Sequence, residues 1–407
     1  MISGELLFRS ERQMNRIYMV RGVVACATLV ALSTTGTAAD FWFNWSGSQT
    51  TINAAWMSGG YGSGMTNAEQ TTFRGMVKSN VETIYNGFNA PIFTSMPGGV
   101  YETVRLGATT SSNSLLGSAE RVDWRNRFKD DIASIYIANF GFTVNAGAFS
   151  RATNINRLAN GVAGTTAHEM GHNLGLQHYD TYGVDNIQAP TYNVFGQQNR
   201  HIMATGSTGL TRSGRVVPRT LNPLEKLKLE YADGVAPTLG TTIAEAAGFK
   251  GSFGTAQAIF GDPLPLSGIT AVNIRGSLAN SGEVDMYSFT ADAGSLLKAN
   301  TMSRRWFSNP VDTTLTLYDD SGNVLFSDDD IYYSRNSFMN GIGFRSLDTL
   351  ILNYQAQYTG TYYMALGGFD GGNYDLLMGG LNPVPEPATM AVLGLGVLAL
   401  IRRRRKR

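Results

Sequence analysis

Three of the four histidines in this chain of 407 residues lie close together, in the segment GTTAHEMGHNLGLQHYD. His168 and His172 are four residues apart, so on a helix their side chains share one face about one turn apart. Gly175 stands where a left-handed residue can end such a helix, and His178 follows three residues later. The spacing therefore predicts a helix and a return turn that bring three imidazoles to one metal ion.

Glu169 lies between the first two histidines and points to a second element of the same site. It is too far round the helix to be a third ligand of the same kind, but it can reach a water molecule on the metal. This is the HExxH arrangement, in which glutamate acts as general base toward a zinc-bound water. A catalytic zinc needs three protein ligands and one open position, which His168, His172 and His178 would provide.

The segment HEMGHNLGLQH resembles the HExxHxxGxxH signature of the metzincin zinc metalloproteases. Downstream, Met203 in NRHIMATG is spaced like the methionine of the turn beneath the zinc in that family. The resemblance implies an α/β (α+β) catalytic domain, with a mixed sheet and an active-site helix, over residues 40–240. It also implies one catalytic Zn²⁺, with Glu169 as the catalytic residue and Gly175 as the turn that ends the helix.

Two residues near the methionine limit what the resemblance implies. Thr205 occupies a position where some metzincins have a tyrosine that assists catalysis, so no tyrosine is given that role. His201, the fourth histidine, is interpreted as a structural or surface residue because the other three complete the ligand set.

We expect the function to be hydrolysis of peptide bonds in a protein or peptide substrate. The alternative is a catalytically weak or inactive protein that binds a surface or extracellular matrix on a metalloprotease scaffold. Glu169 favours the enzyme, because a purely structural zinc site does not use a general base. A calcium-binding adhesin would depend on Asp328, Asp329 and Asp330, but these adjacent carboxylates lack the alternating spacing of a known calcium loop.

The first 39 residues have the order of a secretory signal peptide. Several arginines precede an apolar run at 22–32, and small residues follow, with cleavage expected after Ala39. A buried N-terminal helix is the alternative. Cys26 is the one cysteine and lies in this run, so the exported chain would have no disulfide bond and no thiolate metal ligand. The net charge of +1 gives no indication of a nucleic-acid partner.

The C-terminal segment 384–407 resembles the bacterial PEP-CTERM sorting signal. Pro385, Glu386 and Pro387 precede an apolar run at 388–401 and a basic end at 402–407. The run would span about 21 Å as a helix, against about 30 Å of bilayer hydrocarbon, so membrane contact is expected to be transient. The resemblance implies an exosortase-like partner and delivery to the surface or matrix of a Gram-negative-type bacterium. A plain C-terminal anchor is the alternative.

Between these ends the pattern changes from mixed to all-β. Apolar spacing predicts helices at 66–88 and 222–232, and strands at 101–107 and 132–140. The strand at 101–107 is a candidate edge strand that would align an extended substrate. The sequence leaves open whether residues 40–64 belong to the folded domain or to a removable pro-segment.

Residues 241–380 are predicted to form a linker and an all-β sandwich domain. Short strand-like segments such as VDMYSFTA, DTTLTLYD and GTYYMALGG alternate with turn residues. This region resembles the pre-peptidase C-terminal domain that accompanies secreted bacterial hydrolases. That resemblance implies surface or matrix contact and carries no prediction about the chemistry.

Overall fold

A computed structural model describes residues 38–182, 200–206, 210–248, 250–303, 308–329 and 348–383. The predicted sorting signal and almost all of the predicted signal peptide lie outside these residues. The described residues all belong to one compact unit.

The N-terminal part contains a mixed five-stranded sheet in the order β2-β1-β3-β5-β4. Adjacent strands β2, β1, β3 and β5 are parallel, and β4 runs antiparallel to β5 at one edge. Phe41 and Phe43 of β1 are fully buried, so the segment from Asp40 onward belongs to the core of this domain. The strands are β1 (Phe41–Asn44), β2 (Ile92–Phe93), β3 (Glu102–Leu106), β4 (Gly117–Ala119) and β5 (Ile132–Ile135).

Two predicted helices are confirmed, with shorter C-terminal ends. Thr66 and Glu69 form a capping box at the start of the first, and Asn222 and Glu225 form one at the start of the second, which has Pro223 in its first turn. A helix at 48–58 was not predicted. The described helices are α1 (Ser48–Ser58), α2 (Asn67–Ile84), α3 (Arg151–Asn173), α4 (Arg212–Arg215) and α5 (Pro223–Leu229).

Two strand predictions need correction. The segment 101–107 forms β3, but β3 pairs with β1 on one side and β5 on the other, so it has no free edge for a substrate. The prediction that it is the edge strand is wrong. The predicted strand at 132–140 ends at Ile135, and residues Ile137–Thr143 form a 3-10 helix that packs against α1 and α3.

Residues from Thr242 onward form two further sheets in the described part of the chain. The orders are β13-β12-β15-β10-β7 and β14-β11-β16-β9-β6, and side chains of both sheets share one apolar core. Every C-terminal strand that the sequence indicated is present. The strands are β6 (Thr242–Ala244), β7 (Gln257–Ala258), β8 (Asp262–Leu264), β9 (Ile269–Leu278), β10 (Asp285–Ala291), β11 (Leu296–Met302), β12 (Thr313–Tyr318), β13 (Val324–Asp328), β14 (Leu350–Gln355), β15 (Gly360–Gly368) and β16 (Gly372–Gly379).

The all-β region also shares a core with the N-terminal part. A third apolar cluster combines Trp124, Tyr179 and Leu227 with Met302 and Leu377 of the β region. Glu230 accepts hydrogen bonds from the backbone N–H groups of residues 266 and 267, at 2.7 and 3.1 Å. The linker predicted at the start of residues 241–380 therefore does not separate two independent parts, because the N-terminal part and the β region pack against each other.

Candidate metal centre

The histidine motif lies at the C-terminal end of α3, a helix buried along most of its length. Ser150 caps the helix by accepting a hydrogen bond from the Thr153 N–H, and every residue from Leu158 to Asn173 is buried. Gly164 lets the helix lie close to Arg219, since a Cβ there would meet Arg219 Cδ at 2.9 Å. This packing leaves the motif little freedom to move, as a preorganised site requires.

The structure brings the three predicted ligands together. His178 Nε2 lies 3.2 Å from His168 Nε2 and 3.1 Å from His172 Nε2. Tetrahedral zinc with Zn–N bonds of about 2.0–2.1 Å places its ligand nitrogens roughly 3.3 Å apart, so the separations fit one ion. The three histidines form one of two converging groups of potential ligands among the described residues.

The other ring nitrogens of two histidines are engaged by backbone carbonyls. His168 Nδ1 lies 2.8 Å from the Ile202 oxygen, and His172 Nδ1 lies 2.8 Å from the Leu176 oxygen. A proton on each Nδ1 can be donated to its carbonyl, which leaves Nε2 as the free lone pair for a metal. Burial, followed by the neighbouring imidazoles, holds the pKa of His168 well below its usual value and favours this neutral form.

Glu169 lies beside this centre, against the edge strand β4. Its side chain is 6% exposed, and burial raises its pKa to about 8, while a hydrogen bond from the Ala119 backbone opposes the rise. A bound cation would lower that pKa and favour the carboxylate. Gly117 allows the close approach, because a Cβ there would meet Glu169 Oε1 at 2.6 Å.

The edge that Glu169 faces is β4, a strand that the sequence did not indicate. The Leu116 carbonyl and the Glu120 N–H bond to residues of the β5 side, at 2.9 and 2.8 Å. Because antiparallel strands alternate their bonding direction, the backbone groups of Gly117 and Ala119 point away from β5 toward the centre. Of the two edge strands of the sheet, β2 and β4, β4 is the one beside Glu169, so an extended peptide that adds to this edge would lie next to the centre.

Met203, the predicted methionine of the turn, packs against α3 at the residue before His172. It is fully buried, and its Sδ would be 3.0 Å from a Cβ at Gly171, the residue before His172. Its backbone N–H donates to Glu225 Oε1 at 2.7 Å. The turn is held further by Arg219, whose guanidinium donates to the carbonyl oxygens of residues 164, 201, 202 and 204.

The turn after α3 depends on the conformation of Gly175. Its φ is 94°, and a Cβ there would lie 2.8 Å from Trp124 Cα. Gly175→Ala is expected to lower the free energy of unfolding by about 2–4 kcal/mol, from the left-handed conformation and the backbone overlap together. Gly99, with φ of 92° and open space, is the control, since Gly99→Ala adds only the conformational cost. Urea unfolding curves of the two variants measure the difference.

The residues after His178 join the centre to the β region. The Tyr179 hydroxyl donates to Asn300 Oδ1 at 2.8 Å and accepts from Lys228 Nζ at 3.0 Å. Lys228 also forms an ion pair of 2.9 Å with Asp180, and both side chains are almost fully buried. Nearby, Trp124 Nε1 donates to Asp375 Oδ2 at 3.0 Å. The segment that carries the third histidine therefore rests on residues from both parts of the chain.

The remaining candidate residues do not join the centre. His201 is outside the group of three and instead forms a bridge with Thr220 beside the Met203 turn, in line with a structural role. Asp328 and Asp329 belong to no converging group among the described residues, and Asp330 lies outside them. A second converging group is Glu245, Glu283 and Asp285, but Lys250 pairs with the first and third of these carboxylates.

Comparison with known proteins identifies the end of the chain. Residues 383–406 match the PEP-CTERM protein-sorting motif. This motif is recognised by exosortase-like enzymes and supports export and surface sorting of the protein. No curated protein matches the chain. Among the described residues no helix has the length and apolar character needed to cross a bilayer, and the run at 388–401 lies outside them.

Two solved structures are similar to part of the chain. One is the pre-peptidase C-terminal domain of a collagenase from Bacillus anthracis, at 16% identity and a TM-score of 0.20, covering 30% of this chain and 91% of that one. The other is PliG of Aeromonas hydrophila, a periplasmic inhibitor of g-type lysozyme, at 10% identity and a TM-score of 0.20, covering 35% of this chain and 96% of that one.

Proposed function

We propose that this protein is an exported, surface-sorted zinc endopeptidase of metzincin type. The observation that carries the proposal is the convergence of three histidine Nε2 atoms beside a buried glutamate at an open sheet edge. The parallel sheet with one antiparallel edge strand, the buried histidine helix and the methionine turn support the same proposal. The sorting motif is consistent with delivery to the surface or matrix of a Gram-negative-type bacterium.

The residues of the centre have separate tasks. His168, His172 and His178 would hold Zn²⁺, which when bound supplies a water of lowered pKa and polarises the scissile carbonyl. Glu169 accepts the proton of the attacking water and returns a proton to the leaving amine. The backbone of β4 aligns an extended peptide by strand addition, with Gly117 and the carbonyl of Ala119 as its pairing groups, since the Ala119 N–H donates to Glu169.

Metal removal tests the proposal on the full-length chain. Purified protein is expected to bind one zinc ion and to cut an unfolded protein substrate. A chelator should abolish cleavage, and added Zn²⁺ should restore it, because the histidines alone supply no activated water. Metal content and product termini are measured on the same samples.

The same experiment distinguishes the peptidase from the alternative function, a surface or matrix binding protein. A chain that binds one zinc ion and leaves every unfolded substrate intact would support a surface or matrix binding protein built on this scaffold. Cleavage that continues after complete metal removal would contradict the zinc mechanism.

A further inference from the structure

An open cavity of about 870 Å³ lies next to the candidate centre. Leu116 lines it and directly precedes β4, whose first residue, Gly117, contacts Glu169. Arg212 and Arg215 of α4 also line it, about ten residues along the chain from the Met203 turn. A peptide that pairs with β4 would thus place a side chain at this cavity.

The polar side chains that line the cavity are either basic or neutral. Arg212 and Arg215 line it together with the neutral side chains of Asn113 and Asn139, and no carboxylate does so among the described residues. Arg212 is exposed and lies over the Phe142 ring, with 5.6 Å between its Cζ and the ring centroid. The cavity therefore offers positive charge and hydrogen-bond donors to an incoming group.

Arg215 is the unusual member of this lining. Its guanidinium is half-buried and has neither an ion pair nor a hydrogen bond among the described residues. Arg219, four residues later, shows the contrast, because four carbonyl oxygens satisfy its guanidinium. Burial lowers the pKa of Arg215, while the nearby Glu169 carboxylate raises it. A partly desolvated cation without a partner is costly, and an anion in the cavity would relieve that cost.

We propose that Arg215 binds a substrate carboxylate in this cavity and so directs cleavage to peptides with an acidic group beside the scissile bond. The guanidinium can hold the carboxylate through two parallel hydrogen bonds, a geometry that neither lysine nor glutamine reproduces. This inference rests on the proposed endopeptidase function and names the substrate class of that same site.

The test uses the full-length, zinc-loaded protein and quenched-fluorescent peptides that differ at one position. Amidated peptides with Glu, Gln or Lys beside the scissile bond are compared by kcat/KM. The Glu peptide is expected to exceed the Gln peptide by about tenfold or more, as a charge-assisted bond requires. In Arg215→Gln that ratio should fall to within about twofold. Arg105→Gln, an exposed change on β3, should leave the ratio intact.

A further pair of peptides distinguishes the source of the carboxylate. The Gln peptide is prepared with an amidated and with a free C-terminus, and both forms are cleaved by the unmodified protein and by Arg215→Gln. If only the form with the free carboxyl is cleaved faster by the unmodified protein, the cavity binds a chain end rather than a side chain. Equal rates for Glu and Gln peptides, or a preference that survives in Arg215→Gln, would overturn the proposal.

Measurements of peptide binding test the carboxylate site independently of the proposed peptidase function. Affinities of the Glu and Gln peptides for zinc-loaded Glu169→Gln protein are measured by fluorescence anisotropy, which needs no cleavage. An Arg215-dependent preference in binding without any cleavage in the unmodified protein would retain the carboxylate site and reject the peptidase. If neither the binding preference nor cleavage is observed, the carboxylate site and the peptidase function are both rejected.

Discussion

Glu169→Gln is expected to reduce kcat/KM for peptide cleavage by about a hundredfold or more, the range for loss of a general base. The carboxylate lies beside the three histidines and against the Gly117–Ala119 edge, where it can reach a water and a peptide at once. Glutamine keeps the size of the side chain but cannot accept the proton. Zinc stoichiometry should be unchanged, because Glu169 is not one of the converging ligands.

Glu120→Gln is the matched control for this change. Its carboxylate is 43% exposed, pairs with Arg121 and follows directly after β4. We expect cleavage by this variant to stay within about twofold of the original, as for a surface substitution. Equal activity of Glu169→Gln and the unmodified protein, at equal zinc occupancy, would mean that another group acts as the base.

Lys228→Met is expected to lower the free energy of unfolding by about 3–5 kcal/mol, because it leaves the Asp180 carboxylate buried without its cation. The pair is 2.9 Å long, and its side chains are 1% and 0% exposed. Lys228 also donates to the Tyr179 hydroxyl, so the variant should weaken zinc binding through the turn that carries His178. Urea unfolding and zinc titration measure the two effects.

Lys78→Met provides the control, since Lys78 pairs with Glu82 on the exposed face of α2. An exposed helical pair contributes about 0.3–0.5 kcal/mol, so this variant should be almost as stable as the unmodified protein. The double change of Lys228 to Met and Asp180 to Leu should recover part of the loss, because it removes both buried charges. Similar unfolding curves for Lys78→Met and Lys228→Met would contradict the importance of the buried pair.

The centre was predictable where its chemistry is local in sequence. His168, Glu169, His172, Gly175 and His178 are set by the geometry of one helix and one turn, and the structure brings them together as that geometry requires. The capping boxes of α2 and α5 are also local in sequence, because each pairs a Thr or Asn with a Glu three residues later.

The edge strand was not predictable because the order of strands depends on distant pairing. The segment at 101–107 has the β-branched and aromatic residues of a strand, yet it lies in the middle of the sheet. The edge strand beside Glu169, Gly117–Ala119, is short and made of small residues with low strand propensity. Arg219 was missed for a similar reason. Its partners are backbone carbonyls, which every residue has, so the sequence does not show which of them Arg219 contacts.

The contacts of Tyr179 and Trp124 with the β region set an order of events for a chain that is exported from its N-terminus. Tyr179 and Asn300 are 121 residues apart, and Trp124 and Asp375 are 251 residues apart. While the later residues are still inside the cell, the turn beside His178 lacks these partners. The histidine centre thus acquires its full support only after the last strands have emerged, so we expect the proposed peptidase to become active only when translocation is nearly complete.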